Sequence, residues 1–142
     1  MLNSYFLITK NSFMYKALFI DDNPVNNHLT RLNIEFDNIP VDPITVESAE
    51  EGLQHLSHCM QGGCFPSFIF LDLNMPAMNG FEFVQHYEAK FKRNYPNTRL
   101  YLMTLSIRET DEEKAMSYES VHGFYSKPFT VEIFNDVLGQ LN

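Results

Sequence analysis

One carboxylate in this sequence stands directly behind a purely apolar run, in the segment FIFLDLNMPAMNG of residues 68–80. A short apolar run of this kind indicates a buried strand, and Asp72 would lie at the carboxyl end of that strand. Asp also starts turns after strands, so a lone Asp at such a position has an ordinary structural explanation. Whether Asp72 does chemistry therefore depends on the side chains that the fold brings near it.

Other predicted strands in the chain also end in polar or charged side chains. They are Asp21 and Asp22 after the first strand, Thr104 at the end of the fourth, and Lys127 after the fifth. Taken singly, the acid pair could start a helix and Lys127 could be a solvated surface charge. The presence of all these residues at strand ends, together with Asp72, favours one common site over separate explanations.

The chemistry of such a site follows from its residue types. Three carboxylates near one point repel one another and need a cation, and hard oxygen ligands with room for water select Mg²⁺ or Mn²⁺. Asp72 can then attack phosphorus as a nucleophile and become an acyl phosphate, while the metal and Lys127 neutralise the equatorial oxygens. Thr104 could donate its hydroxyl to the new phosphoryl group. The residues therefore indicate metal-dependent phosphoryl transfer to Asp72.

Five alternations of a short apolar run with a helical pattern would position these residues. The runs FIF and YLM are apolar on both faces, as strands covered by helices on each side must be. Strands joined by helices through short loops lie parallel and form a doubly wound α/β sheet, whose site lies beyond the carboxyl ends of its strands. The predicted strands span residues 17–20, 44–46, 67–71, 99–104 and 123–126.

The first predicted helix begins behind Asn23 as its N-cap, with Pro24 at the first helical position. Apolar residues then recur at spacings that place them on one helix face. These residues are Val25, Leu29, Leu32 and Phe36.

Cap patterns mark the starts of other helices. Ser48 with Glu51, and Thr110 with Glu113, match the capping-box pattern. Thr130 begins the last predicted helix. The third helix is recognised by its apolar residues, which are Val84, Tyr87 and Phe91.

The composition limits the number of domains and the classes of partner. A chain of 142 residues with 44% hydrophobic residues suffices for one well-packed domain. The net charge of −8 and the scattered Lys and Arg residues disfavour direct binding to a nucleic acid. The chain has no apolar run near the roughly 20 residues that cross a membrane, and its first stretch lacks the features of a secretory signal. We expect an N-terminal extension over residues 1–14, one domain over 15–142 and no output domain.

The two cysteines, Cys59 and Cys64, are too few for a disulfide framework. We therefore predict reduced thiols in a cytoplasmic protein. A zinc site can be imagined from His55, His58 and the two cysteines, but the spacing matches no common pattern of structural zinc ligands. Ordinary residues near a helix end are the favoured interpretation.

Four segments together resemble the receiver domain of bacterial two-component response regulators. They are FIDDNPVN, FLDLNMPAMNG, LMTLS and FYSKPF, which span residues 19–129 in the order of that family. As a set they are highly specific. The predicted fold is flavodoxin-like, a doubly wound sheet of five parallel strands in the order 2-1-3-4-5 with five helices.

The resemblance also implies roles for individual residues. It implies that Asp72 is the phosphoacceptor and that Thr104 and Lys127 contact the phosphoryl group. The implied Mg²⁺ ligands are Asp21, Asp22, Asp72 and the Asn74 carbonyl. A cis peptide before Pro128 would aim the lysine. Phe124 stands where the family has its switch aromatic, so the implied switch residues are Thr104 and Phe124.

Three residues depart from the family's usual pattern. Leu105 follows Thr104 where a small residue is usual, so its bulk could narrow access to the phosphoryl group. Phe124 lacks the hydroxyl of the frequent tyrosine, so an inward position would bury it at no hydrogen-bond cost. Asn79 replaces a commoner acid before Gly80, and we expect little from that change.

The resemblance implies a stand-alone receiver that takes phosphate from a histidine kinase or a histidine phosphotransfer domain and signals by contact with an unidentified output protein. Such a domain catalyses only its own phosphorylation and slow autodephosphorylation, so we do not expect a conventional enzyme.

Three alternatives are weaker. A phosphohydrolase of the haloacid dehalogenase type has a DxDxT motif after its first strand, and a flavodoxin-like FMN carrier needs hydroxyls and amides where this chain has Asp21 and Asp22. The complete set of acids, Thr and Lys argues against a degenerate receiver that acts only as a binding module.

Overall fold

Five parallel strands alternate with five helices in residues 14–141, the part of the chain that this computed structural model describes. The sheet has the order β2-β1-β3-β4-β5, and every neighbouring pair of strands is parallel. The prediction of a flavodoxin-like sheet with this order and five helices is confirmed. The strands are β1 (Tyr15–Ile20), β2 (Val41–Val46), β3 (Phe68–Asp72), β4 (Arg99–Thr104) and β5 (Val121–Ser126). The helices are α1 (Pro24–Phe36), α2 (Ala49–Gly62), α3 (Gly80–Lys90), α4 (Glu109–Met116) and α5 (Val131–Gly139).

The central strand β3 is buried along its whole length, because helices cover both faces of the sheet. Alternate residues of β3 enter two different apolar clusters. Ile69 and Leu71 pack on one side with Leu102, and Phe68 and Phe70 pack on the other. Since strand order reverses between β1 and β3, a crevice opens at their carboxyl ends. The predicted N-terminal extension lies outside the described residues, apart from Met14.

Three strands are longer than predicted, and β1 begins at Tyr15, two residues before its predicted start. β2 begins at Val41 and not at residue 44, although Pro43 lies within it. Proline cannot donate to a sheet ladder, but β2 is an edge strand and tolerates it. β5 likewise begins at Val121, two residues before the predicted start.

Helix starts agree with the predicted caps at three places. Asn23, Ser48 and Thr130 each accept a hydrogen bond from a backbone N–H in the first turn of α1, α2 and α5. The prediction for Thr110 is wrong, because α4 begins earlier. Arg108 is its N-cap residue, makes no capping side-chain hydrogen bond, and accepts the first helical bond from Glu112 N at 2.9 Å.

Asn79 has a larger structural role than we expected from the sequence. Its side chain accepts a hydrogen bond from Glu82 N at 3.0 Å, and the Glu82 carboxylate accepts one from Asn79 N at 3.1 Å. This reciprocal capping box starts α3 immediately after the segment that contains Asp72. Asn79 therefore satisfies two backbone groups at the helix entrance.

The apolar face predicted for α1 is largely exposed, with Val25 at 61%, Leu29 at 43% and Phe36 at 79% exposure. The apolar stripe therefore does not mark the face of α1 that packs on the sheet. The buried residues of α1 include Asn27, whose side-chain amide donates to Asp21 O at 3.1 Å and to Val46 O at 3.3 Å. These bonds to the ends of β1 and β2 hold the polar face of α1 inward.

The prediction of reduced thiols is also wrong, because Cys59 and Cys64 form a disulfide. The end of α2 explains the pairing. Gly63 takes a left-handed conformation with φ 72°, and Cys64 N donates to Cys59 O at 3.3 Å, so the chain turns back over Cys59. This turn places the two Cα atoms 4.7 Å apart.

Among residues 14–141, no helix has the length and apolar character needed to cross a membrane.

Candidate phosphoacceptor site

Three carboxylates meet where β1 and β3 end. Oxygen atoms of Asp21, Asp22 and Asp72 all lie within 4.8 Å of one another. Asp21 and Asp72 are buried and Asp22 is exposed, so the cluster opens toward solvent on one side. The fold thus brings together the acids that the strand ends predicted.

Lys127 completes this cluster from the loop after β5. Its Nζ lies 2.8 Å from Asp21 Oδ2 and 3.0 Å from Asp72 Oδ1. Its backbone N–H donates to Thr104 O at 2.7 Å, which ties the loop to the end of β4. The peptide between Lys127 and Pro128 is cis, which confirms the expectation.

Burial and the neighbouring charges shift the pKa of two groups in the cluster. Burial raises the pKa of Asp72 to about 6, although the hydrogen bond and the charge of Lys127 oppose that rise. Burial also disfavours the charged form of Lys127, but its hydrogen bonds to Asp21 and Asp72 outweigh burial and raise its pKa. At neutral pH the lysine therefore remains an ammonium beside a carboxylate that burial makes more basic.

Two further predicted site residues, Asn74 and Thr104, line one open cavity of about 360 Å³ at the carboxylates. Asn74 lines this cavity, and its backbone N–H donates to Asp72 Oδ1 at 3.2 Å. Thr104 is buried at the end of β4, and its hydroxyl exchanges long hydrogen bonds with the backbone of Ser106. Leu105 lies at the mouth of the cavity with 75% of its surface exposed.

Phe124 lies inside the fold and away from the cavity. Its ring is 8% exposed and belongs to the apolar cluster that also contains Leu102 and Ala115. In the sheet Phe124 is opposite Leu102, while Thr104 is opposite Ser126. Phe124 therefore occupies the inward position that the missing hydroxyl permits. Its partner in the sheet, Leu102, precedes Thr104 by two residues on β4.

Sequence reasoning missed two residues that support Asp21 and Asp72. The Asn26 amide donates to both carboxylate oxygens of Asp21, at 3.4 and 3.3 Å. Gly80 lies so close to the end of β3 that an added Cβ would be 2.9 Å from Asp72 O. The segment FIDDNPVN could have suggested the first contact, since Asn26 lies one helical turn beyond Asp22. No local signal indicates the second.

The donor set is suited to a hard divalent cation. Three carboxylates that share one point, one of them exposed, offer the oxygen ligands and the open side that Mg²⁺ requires. The described residues thus contain an acid cluster able to bind a metal ion.

This arrangement of acids, hydroxyl and lysine on a doubly wound sheet defines a class of signalling domain. The chain belongs to the response regulator receiver domain family, which its residues 17–138 match. Receiver domains are phosphoacceptors in two-component signalling and are not conventional enzymes.

Individual relatives agree with this assignment. A solved two-component response regulator from Cytophaga hutchinsonii has 26% sequence identity and a TM-score of 0.83, with 90% of this chain and 97% of that one covered. A response regulator receiver protein from Dyadobacter fermentans shares the fold, with 24% identity, a TM-score of 0.76, and coverage of 88% and 95%. The sensor histidine kinase CheAY of Helicobacter pylori is 26% identical over 124 residues. That match covers 87% of this chain and only 14% of the kinase.

Proposed function

We propose that this chain is a phosphoacceptor receiver in which Asp72 takes a phosphoryl group from a phosphohistidine. The donor would be a histidine kinase or a histidine phosphotransfer domain. The observation that carries the proposal is the position of Asp72, buried at the end of β3 with the Lys127 ammonium 3.0 Å away and two further acids beside it. The family assignment supports the same chemistry.

The two oxygens of Asp72 have different surroundings. Oδ1 accepts from Asn74 N and contacts Lys127 Nζ, whereas among residues 14–141 no hydrogen bond to Oδ2 is found. Oδ2 is therefore the oxygen best placed to attack phosphorus, and the bond to the histidine nitrogen would break as the new bond forms. Lys127 would neutralise charge on the transferred group. Thr104 would turn its weakly bonded hydroxyl toward a phosphoryl oxygen.

Asp21, Asp22 and Asp72, with the carbonyl of Asn74, would hold Mg²⁺, and Mn²⁺ would also suit these oxygen ligands. When bound, the cation supplies positive charge that stabilises the transferred phosphoryl group. Asp21 is already positioned for this role, because Asn23 N donates to its Oδ1 at 2.9 Å and Asn26 bonds its carboxylate.

The switch would couple Thr104 to Phe124. Phosphorylation adds about two negative charges and several acceptor oxygens, which would draw Thr104 and its loop toward the site. Because Phe124 lies opposite Leu102, two residues before Thr104 on β4, this movement would repack the ring and change the surface of α4 and β5. The output partner, a protein still to be identified, would bind that altered surface.

The exposed apolar face of α1 supports docking of a protein donor. Leu29 lines the same narrow cleft as Asp72 and Lys127, so the apolar face adjoins the phosphoacceptor directly. A partner helix packed on Val25 and Leu29 would bury apolar surface while it presents its histidine to Asp72.

With a net charge of −8, the chain is not proposed to bind nucleic acid directly. We place this exchange in the cytoplasm.

Self-phosphorylation by a small donor tests the proposal. Incubation with acetyl phosphate and Mg²⁺ should add one alkali-labile phosphoryl group, visible in the intact mass. Asp72→Ala should abolish the addition, whereas Asp37→Ala, a change to an exposed acid at the end of α1, should not. Labelling that survives in Asp72→Ala and maps to Ser106 or a histidine would refute the assignment. If the protein without substitutions is never labelled, the result would favour a binding module that works independently of phosphorylation.

A further inference from the structure

The end of α2 carries a pair of cysteines that the phosphoryl chemistry does not use. Cys59 and Cys64 are joined in a disulfide. In cytoplasmic proteins of ordinary organisms a disulfide is usually transient and catalytic or redox-sensing, not permanently structural. We propose that Cys59 and Cys64 form a reversible thiol–disulfide exchange site for low-molecular-weight disulfides such as oxidised glutathione. The reversibility of this exchange rests on the proposed function in the cytoplasm. The pairing of the two cysteines rests on the backbone geometry at the end of α2.

Backbone hydrogen bonds hold the two cysteines together without help from the sulfur atoms. Gly63 N donates to Cys59 O at 3.0 Å, and Cys64 N donates to the same oxygen at 3.3 Å. The resulting Cα separation of 4.7 Å lies within the roughly 4.4–6.8 Å that disulfides require. Because these hydrogen bonds involve only backbone atoms, we expect the pair to open and close without refolding of α2.

The two sulfurs differ in their access to solvent. Cys59 is fully buried, whereas Cys64 is half-buried and lines a surface cavity of about 190 Å³. Lys16 lines this cavity and its positive charge favours the thiolate, while Asp42 in the same cavity opposes that effect. A small disulfide can therefore reach Cys64 but not Cys59.

His55 stands beside the buried sulfur, with Nε2 3.4 Å from Cys59 Sγ. Burial lowers the pKa of His55, and the neighbouring His58 lowers it further. A neutral imidazole in this position can accept the proton of the Cys59 thiol. His55 thus acts as a positioning and proton-accepting group for Cys59.

These positions define a balanced sequence of two exchanges. The Cys64 thiolate attacks oxidised glutathione, which forms a protein–glutathione mixed disulfide and releases one glutathione thiolate. Cys59 then loses its proton to His55 and attacks the Cys64 sulfur, which forms the Cys59–Cys64 bond and releases the second glutathione thiolate. The released thiolates take up the two protons, so two protein thiols are oxidised and one glutathione disulfide is reduced to two thiols.

The pair lies at the opposite end of β3 from the phosphoacceptor. Cys64 precedes β3, and Asp72 ends it. A strand of this length spans about 16 Å at roughly 3.3 Å per residue. Acetyl phosphate labelling of Asp72 on the same samples therefore reports on the proposed function independently of the cysteines.

A redox titration of the full chain tests the site. The protein is equilibrated with mixtures of reduced and oxidised glutathione, free thiols are alkylated, and the fraction of disulfide is read from the intact mass. We expect conversion from two free thiols in excess reduced glutathione to an intramolecular disulfide in excess oxidised glutathione. Thiols that stay free throughout, or a disulfide that persists throughout, would overturn the proposal.

Single-cysteine variants test the assigned order of reaction. Cys59→Ser should accumulate a stable mixed disulfide at Cys64, because the resolving thiol is absent. Cys64→Ser should leave Cys59 largely unmodified in the same mixture. The reverse pattern, or equal modification of both variants, would contradict the assignment of Cys64 as the entry point.

The role of His55 is separable from a structural effect. In His55→Gln the mixed disulfide should form at the wild-type rate and persist several times longer, because only the second exchange needs the imidazole. His28→Gln, a change to an exposed histidine on α1, is the matched control and should leave the lifetime nearly unchanged. Equal lifetimes in wild type and His55→Gln would remove His55 from the mechanism.

Discussion

The Asp72 carboxylate is held between two opposing influences. Burial makes its charged form less favourable, and the Lys127 ammonium at 3.0 Å makes it more favourable. The lysine thus keeps a buried carboxylate ionised near neutral pH, and no hydrogen bond from the described residues reaches its Oδ2. A basic carboxylate of this kind is a better nucleophile than a fully solvated one.

Removal of the lysine charge should therefore be visible in the titration of Asp72. In Lys127→Met the pKa of Asp72 should rise above its value of about 6, because burial and the repulsion from Asp21 remain while the attraction is lost. The pKa of Asp72 is measured by carboxyl-carbon NMR across a pH series without divalent ions. Lys92→Met, which removes a lysine that pairs with Glu119 elsewhere, should leave this titration unchanged. A pKa that stays the same or falls in Lys127→Met would contradict the described balance.

At the scale of secondary structure, apolar runs allowed the strand centres to be predicted, because β3 and β4 are covered on both faces and need apolar residues on both faces of their central part. The site residues could then be predicted from the ends of these strands, since parallel strands bring their carboxyl ends to one edge of the sheet. The orientation of α1 could not be predicted in this way. Its inward face depends on bonds from Asn27 to two strand ends, which are tertiary contacts without a periodic signal.

The paired cysteines illustrate the same limit. Their proximity depends on the left-handed conformation of Gly63, and neither composition nor the spacing of five residues indicates that conformation. The predicted start of α4 is wrong for a local reason. Thr110 matches a capping pattern, but the helix begins at Glu109 and its N-cap residue, Arg108, makes no side-chain capping bond. Competing starts one or two residues apart are difficult to distinguish from sequence.

The pairing of β4 with β5 leads to a prediction for the proposed switch. With the phosphoryl mimic beryllofluoride and Mg²⁺, NMR shifts of the wild type should spread from Asp72 to α4 and β5. In Thr104→Ala the shifts should remain near the site, because the hydroxyl that senses the new charge is absent. Phe124→Ala should also lose the distant shifts, through lost packing.

Ser126→Ala is the matched control for this experiment, because Ser126 is exposed and lies opposite Thr104 in the sheet. It should retain the distant shifts. The same long-range shifts in wild type and Thr104→Ala would show that the domain transmits phosphorylation by another route.

For the molecule as a whole, the acid cluster links metal binding to stability. A cation bound only by the folded state stabilises it by mass action, and Mg²⁺ near 100 times its Kd would contribute about 2.7 kcal/mol. In a domain of this size that corresponds to a rise in Tm of roughly 5–10 °C. Asp22→Ala should lose most of the rise because one of the three clustered carboxylates is gone, and Asp37→Ala should keep it. A wild-type Tm that does not respond to Mg²⁺, or an equal response in Asp22→Ala, would contradict the metal site.

The central claim, that Asp72 itself carries the phosphoryl group, is tested most directly by chemical trapping of the acyl phosphate. Borohydride reduces an aspartyl phosphate to homoserine, which marks the modified position permanently for peptide sequencing by mass spectrometry. After treatment with acetyl phosphate and Mg²⁺, we predict homoserine at position 72, and none there when either reagent is omitted. Homoserine at position 21 or 22 with Asp72 intact, or phosphate on the chain without any homoserine, would contradict the account.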